Sequence, residues 1–160
     1  MERIAVFSDT HGNVERMVKA LNQIGQADRV FHLGDNIRDA IRLSDQIKIP
    51  VTSVIGNCDF GSAGPAEETV RICGRKLLLL HGHKYGVKYG LDRLSYYAEE
   101  CKADAVFFGH THAASIGFYG KILMMNPGSL REPAGGGDTF GVVTGSEKAI
   151  LPKTVELETF

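Results

Sequence analysis

The 160-residue sequence predicts an α/β fold in a single domain that spans residues 1–160. Three observations support this prediction. Apolar strand-like segments alternate with amphipathic helical segments in the first third of the chain, an order typical of parallel βαβ units. The rest of the chain is rich in short β segments separated by glycines. The length is close to that of one ordinary domain, which buries an apolar core without disulfide bonds.

The first third of the chain contains the alternating elements. The first helix begins after Asn13, which can cap it, and ends at Gly25. Its apolar side chains recur at i, i+3, i+4 and i+7, the spacing of one helical face. They are Val14, Met17, Val18 and Leu21. The other predicted elements are strands over 4–7, 29–33 and 51–55 and a second helix over 38–46.

The remaining two thirds are predicted to be mostly β. A hairpin around Gly74 joins strands over 69–72 and 76–80. A helix over 91–101 then leads to a strand over 105–108. The last predicted strands cover 115–119, 121–125, 139–144 and 148–158, with turns at Gly120 and at the glycine run 135–137.

The composition excludes several function classes. A formal net charge of −1 argues against electrostatic capture of nucleic acid or anionic lipid. No apolar stretch approaches the ~20 residues of a membrane-spanning helix, and the N-terminus does not resemble a signal peptide. The three cysteines are an odd number without CxxC spacing, which argues against a disulfide framework. We therefore expect a cytoplasmic protein without nucleic-acid or membrane partners, and leave homo-oligomerisation open.

Five short motifs hold five of the six histidines, and each follows a predicted strand. Ligands of open α/β sheets bind outside the carboxyl ends of the strands. Imidazole and carboxylate are ligands that borderline divalent metals prefer, so the motifs predict a metal site. The motifs are Asp9-Thr10-His11, Gly34-Asp35, Gly56-Asn57-Cys58-Asp59, His81-Gly82-His83 and Gly109-His110-Thr111-His112. His32 lies outside them, and we interpret it as a partly buried strand residue, with a role in supporting the metal ligands as the less favoured alternative.

The number and spacing of these side chains predict two metal ions. If the backbone is extended, the two histidines of Gly109-His110-Thr111-His112 point the same way, as do Asp9 and His11, so each pair can converge on one centre. The donors are too many for one tetrahedral zinc. Two divalent ions with two carboxylates and a bridging hydroxide leave a charge of about +1, which would favour a phosphate oxygen. Mg²⁺ is disfavoured by the many imidazoles, so we expect Mn²⁺, with Fe, Ni²⁺ and Zn²⁺ as alternatives.

In this order the motifs resemble those of the calcineurin-like metallophosphoesterase family, and the short chain with Gly56-Asn57-Cys58-Asp59 resembles its small YfcE-type phosphodiesterase branch. The resemblance implies a four-layer α-β-β-α sandwich. It also implies two divalent ions bridged by Asp35 and a metal-bound hydroxide that attacks phosphorus. One ion would be held by Asp9, His11, Asp35 and His112, and the other by Asp35, Asn57, His81 and His110.

The sequence departs from this family at Cys58, where many members carry a histidine thought to protonate the leaving group. A thiol, with a pKa of about 8.5, is a poorer phosphate partner than imidazolium. We therefore assign no side-chain acid and expect either substrates with good leaving groups or protonation of the leaving group by water. A covalent cysteine phosphatase is excluded, because the C-x₅-R spacing would need arginine at Gly64. Asn57 and His83 are candidate phosphate ligands, and a structural hydrogen bond is an equal alternative for His83.

The function that follows is di-metal-dependent hydrolysis of phosphate esters, with a small phosphate ester as substrate. The resemblance, rather than any residue, favours phosphodiesters over phosphomonoesters. A phosphomonoesterase is the first alternative. The second is a non-catalytic metal-binding scaffold related to the retromer subunit of this fold, which the complete set of seven ligands disfavours.

Overall fold

The computed structural model of the protein describes residues 1–131 and 137–158 and contains two five-stranded sheets. The first sheet has the strand order β10-β9-β1-β2-β3, and the second has the order β4-β5-β6-β8-β7. The first two residues of the predicted turn 135–137 lie outside the described residues.

The first sheet contains the βαβ units that the sequence predicts. Strands β1, β2 and β3 are parallel, while β9 and β10 extend the sheet in antiparallel fashion. Two helices connect the parallel strands. The elements are β1 (Glu2–Phe7), α1 (Val14–Ile24), β2 (Arg29–His32), α2 (Ile37–Gln46), β3 (Val51–Ser53), β9 (Thr139–Gly145) and β10 (Ile150–Glu156).

The second sheet is mixed, with antiparallel strands at both edges. Strands β5, β6 and β8 are parallel, and β4 and β7 pair antiparallel with β5 and β8. The elements are β4 (Glu67–Ile72), β5 (Arg75–Leu80), α3 (Asp92–Glu100), β6 (Ala105–Phe107), β7 (Ser115–Tyr119) and β8 (Ile122–Asn126). Two 3₁₀ turns, His83–Tyr85 and Val87–Tyr89, precede α3 and were not predicted.

Three apolar layers hold the elements together. The central layer lies between the sheets, where Phe31 of the first packs against Phe107 of the second with ring centroids 6.5 Å apart. An outer layer joins α1 and α2 to the first sheet through buried residues such as Met17 and Leu43. The other outer layer joins α3 to the second sheet around Leu94. The arrangement is a four-layer α-β-β-α sandwich, as predicted.

Helix α1 illustrates how closely local sequence sets an element. Asn13 accepts a hydrogen bond from Arg16 N, and Gly25 ends the helix at a φ of 85°, so both predicted end signals are confirmed. The buried residues Met17 and Leu21 belong to the predicted face. Among the described residues, no helix is long and apolar enough to cross a membrane.

Candidate metal centre

All five motifs lie at the carboxyl ends of strands that face each other across the two sheets. The motifs at Asp9, Asp35 and Asn57 follow β1, β2 and β3 of the first sheet. His81 and His110 follow β5 and β6 of the second sheet. The fold therefore gathers five segments that are distant in sequence into one crevice.

The donor atoms in this crevice form two groups of three. In each group the three ligand atoms lie within 4.8 Å of one another. The first group contains Asp9, His11 and His112, and the second contains Asp35, His81 and His110. The groups adjoin, because His81 Nε2 lies 3.2 Å from Asp35 Oδ2 and 3.8 Å from Asp9 Oδ1.

The i, i+2 spacing allows each pair to converge on one centre, but the second pair does not do so. His110 and His112 point into different groups. The backbone is not extended there: the φ angles of these residues are 71° and 61°. Asp9 and His11 do share a group, although their φ angles of 54° and 45° are also left-handed. The alternation of side chains that holds in a strand does not apply in such loops.

Positive φ angles are concentrated at the predicted ligands. Left-handed backbone is unfavourable for non-glycine residues and persists where the surrounding structure enforces it, commonly at functional sites. Five of the seven non-glycine residues with positive φ in the described chain are predicted metal ligands. They are Asp9, His11, Asp35, His110 and His112.

Glycines let the backbone segments of the crevice approach each other closely. A Cβ on Gly34 would lie 2.7 Å from Gly56 N and 3.0 Å from His81 Nδ1. A Cβ on Gly109 would lie 2.7 Å from Asp9 Oδ2. Any larger residue would push these segments apart, which explains why glycine precedes the polar residue in three of the motifs.

Hydrogen bonds orient the ligands toward the crevice. Asp9 Oδ2 accepts from Ser8 Oγ at 2.5 Å and from His110 N at 3.0 Å. Asp35 Oδ1 accepts from Cys58 N at 2.8 Å. His81 Nδ1 lies 2.8 Å from Leu33 O, so it carries the proton and leaves Nε2 available to a metal. Asp9 Oδ1 and His81 Nε2 are buried atoms without a hydrogen-bond partner.

The protonation of the site fits a cation. Burial would raise the pKa of Asp9, but the neighbouring His112 and His81 hold it below its usual value. The pKa of Asp35 is likewise lowered, because His81 outweighs its desolvation. Although burial opposes it, Asp35 and Asp9 raise the pKa of His81. In the metal-free chain the two carboxylates and the His81 imidazole therefore favour one another's charged forms. A metal ion favours ionised carboxylates in the same way, so this environment fits a metal site.

Asp59 holds the two glycine loops of the first sheet in place. It is nearly buried, and its carboxylate accepts three backbone hydrogen bonds. The donors are Asp35 N at 3.0 Å, Gly56 N at 2.8 Å and Ile37 N at 2.8 Å. No role was predicted for Asp59 from the sequence. Its position three residues after Gly56, a spacing at which an aspartate accepts backbone hydrogen bonds, was the available signal.

Asp39 and His32 hold the loop after β1, although no role was predicted for Asp39 from the sequence. Asp39 Oδ2 accepts from Thr10 Oγ1 at 2.6 Å, Gly12 N at 2.7 Å and Asn13 N at 3.2 Å. His32 is fully buried rather than partly buried, and its Nε2 lies 2.9 Å from Thr10 Oγ1. Its Nδ1 accepts from Gly34 N at 3.2 Å. His32 therefore supports two ligand loops without entering either metal group.

The remaining candidates lie around the two groups. Asn57 is exposed, and its role as a metal or phosphate ligand stays a prediction. His83 lies beside His81 and His110, with ring centroids 5.4 and 6.1 Å apart, but belongs to neither group. Desolvation and the negative charge of Asp35 raise the pKa of the Cys58 thiol to about 11.

Comparison with known proteins agrees with this geometry. The chain is 35% identical to the probable metallophosphoesterase YsnB of Bacillus subtilis over 81% of this chain and 76% of YsnB. It is 28% identical to the phosphodiesterase YfcE of Escherichia coli K12, over 85% of this chain and 83% of YfcE. A crystal structure of Vps29 from Entamoeba histolytica with Zn²⁺ superposes with a TM-score of 0.76 at 19% identity, covering 98% of this chain and 99% of Vps29.

A family profile decides the assignment. The profile of the calcineurin-like phosphoesterase superfamily domain matches residues 2–148, which include both donor groups. The chain therefore belongs to the calcineurin-like phosphoesterase superfamily.

Proposed function

We propose that the protein is a di-metal-dependent phosphodiesterase that acts on small phosphate esters. The observation that carries this proposal is the pair of adjoining donor groups, in which carboxylate and imidazole atoms converge and the buried Asp9 Oδ1 and His81 Nε2 have no hydrogen-bond partner. The lowered pKa values of Asp9 and Asp35 favour ionised carboxylates, the form that divalent metals require, and His81 would bind a metal as the neutral imidazole. Because the chain belongs to the calcineurin-like phosphoesterase superfamily, phosphoester hydrolysis is the reaction that we propose for this site.

The residues present would hold two ions. Asp9, His11 and His112 would bind one, and His81, His110 and Asn57 the other, with Asp35 shared between them. When bound, the ions would activate water near neutral pH and stabilise the charge on the attacking and leaving oxygens of an in-line displacement. Mn²⁺ is the ion we expect, because the site combines imidazoles with carboxylates.

The protein's own groups would orient the metal ligands but provide little acid catalysis. Ser8 and the His110 backbone N–H fix the Asp9 carboxylate, and Asp59 fixes the loop that carries Asp35. Cys58, with its raised pKa, is a weak proton donor at neutral pH. The preferred substrates would therefore have leaving groups that depart as stable anions.

Hydrolysis of bis-p-nitrophenyl phosphate and p-nitrophenyl phosphate tests the proposal. With Mn²⁺ added we expect turnover of both, higher for the diester, and loss of turnover after chelation. Preferred hydrolysis of the monoester would instead support a phosphomonoesterase. The diester preference rests on the likeness to YfcE, which is named a phosphodiesterase.

A non-catalytic metal-binding scaffold is the second candidate, favoured by the structural likeness to Vps29. We prefer the enzyme, because a scaffold is free to lose ligands whereas this chain has all seven predicted ones. Absence of metal-dependent turnover of either ester would support the scaffold. The cytoplasmic location and the absence of nucleic-acid and membrane partners stay predictions from composition.

A further inference from the structure

A cavity of about 320 Å³ opens beside the first donor group, between α2 and the loop that follows β3. His11 and Cys58 form the part of its wall nearest the metal centre. Arg38, Arg42 and Phe60 also line the cavity. The volume is that of a small-ligand site, and the wall combines cations with an aromatic face.

The two arginines are available to a ligand. They lie four residues apart on α2, so their side chains leave the same helical face. Both are exposed, and neither forms a hydrogen bond or ion pair within the described part of the chain. The Asp59 carboxylate in the same wall is engaged by three backbone N–H donors. Arginine pairs of this kind bind phosphate through paired N–H donors.

Phe60 adds a planar apolar surface to the wall of the cavity. Its side chain is 87% exposed, although phenylalanine is among the residues most often buried. An exposed aromatic ring beside free arginines is typical of sites at which a base stacks while a phosphate is bound.

We infer that this cavity binds the leaving part of the substrate, and that this part is a nucleotide joined through a phosphoanhydride bond. The inference rests on the proposed phosphodiesterase function. The nucleotide's phosphate would contact Arg38 and Arg42, and its base would stack on Phe60. Such a linkage places two bridging oxygens on the attacked phosphorus, as in a diester.

The reaction balances with water as the only co-reactant. The water oxygen bonds to the attacked phosphorus, and the bond from that phosphorus to the bridging oxygen breaks. The bridging oxygen leaves with the electron pair as part of the nucleotide's phosphate, and the water protons pass to solvent. A phosphate departs as a stable anion, so this substrate needs no proton from the protein.

The test compares kcat/KM for diadenosine 5′,5′-diphosphate with kcat/KM for bis-p-nitrophenyl phosphate in Mn²⁺. We expect the ratio of the two values to fall about tenfold or more in Arg38→Gln, Arg42→Gln and Phe60→Ala, because the p-nitrophenyl group has no second phosphate to contact the arginines and a smaller ring than adenine to stack on Phe60. Lys48→Gln and Phe118→Ala are matched controls at exposed positions outside the cavity, and should keep the wild-type ratio.

Two results separate the failure of this inference from the failure of the proposed function. If wild-type protein hydrolyses bis-p-nitrophenyl phosphate but not the dinucleotide, the nucleotide site is overturned while the phosphodiesterase stands. An unchanged ratio of the two kcat/KM values in all three cavity variants would also overturn the nucleotide site. If neither compound is hydrolysed, the proposed function fails and the nucleotide site fails with it.

Discussion

At the scale of single residues, the site depends on side chains that hold ligands as much as on the ligands themselves. Asp9 and Asp35 each turn one oxygen to the protein and one to the crevice. The oxygens that face the protein accept hydrogen bonds from a serine hydroxyl and from backbone N–H groups. Such partners determine ligand geometry and therefore metal affinity.

Asp59→Asn tests this dependence. The amide replaces a carboxylate oxygen with an NH₂ group facing an N–H donor, so the loop that carries Asp35 should loosen. We expect the Mn²⁺ concentration for half-maximal activity to rise about tenfold. The free energy of unfolding should fall by about 1–3 kcal/mol.

Activity titrations with Mn²⁺ and chemical denaturation measure the two effects. Asp45→Asn, an exposed aspartate on α2, is the matched control and should change neither. Unchanged metal dependence in Asp59→Asn would show that its three hydrogen bonds do not position Asp35.

Cys58 permits a second test at this scale. Cys58→His introduces an imidazole, whose ordinary pKa of about 6.5 suits proton donation far better than the native thiol. Hydrolysis of aryl phosphodiesters with phenolate and p-nitrophenolate leaving groups measures the effect. The ratio of kcat/KM for the poor to the good leaving group should rise about tenfold or more in Cys58→His and stay at the wild-type value in Cys58→Ser. An equal rate change for both leaving groups in Cys58→His would refute the assignment of position 58 to leaving-group protonation.

At the scale of elements, the strands end at the crevice, and the loops that follow them orient the metal ligands. The sequence predicted the strands and α1 well, because hydrophobic periodicity and cap residues are local signals. It could not predict the 3₁₀ turns after His81, where no periodic pattern exists. Nor could it predict the left-handed backbone at His110 and His112, since tertiary contacts impose that conformation.

The buried chain of His32, Thr10 and Asp39 links the ends of β1 and β2 to α2, and it predicts a pH dependence. Burial, only partly offset by Asp39, lowers the pKa of His32 from 6.5 to about 4. The unfolded chain therefore binds a proton at His32 before the folded chain does. The associated stability is fully present above pH 6.5 and is lost as the pH falls toward 4.

Thermal unfolding of the chelated protein between pH 7 and pH 5 measures this loss. The wild-type melting temperature should fall more steeply than that of His32→Gln, with a full difference on the order of 3 kcal/mol if the pH could be taken to 4. If the melting temperatures of the two proteins fell in parallel as the pH was lowered, the pH-dependent loss of stability could not be assigned to His32.

At the scale of the whole molecule, the crevice exists because two sheets pack face to face with their carboxyl edges aligned. The order of motifs was enough to predict the four-layer fold through resemblance. Spacing alone predicted a metal site and allowed His110 and His112 to share a centre, but it could not assign their partners, because these depend on how the sheets meet. No sequence pattern indicates that Asp39 is buried, because an aspartate within a helix is usually exposed.

The most direct test of a two-ion phosphoesterase is titration of the chelated protein with Mn²⁺ while bound metal and hydrolysis of bis-p-nitrophenyl phosphate are both measured. We predict that activity rises to a plateau at about two ions per chain, the number that two adjoining donor groups would hold. His81→Ala should bind fewer ions and lose most of the activity. Full activity without added metal, or a plateau in binding with no activity, would contradict the proposed function.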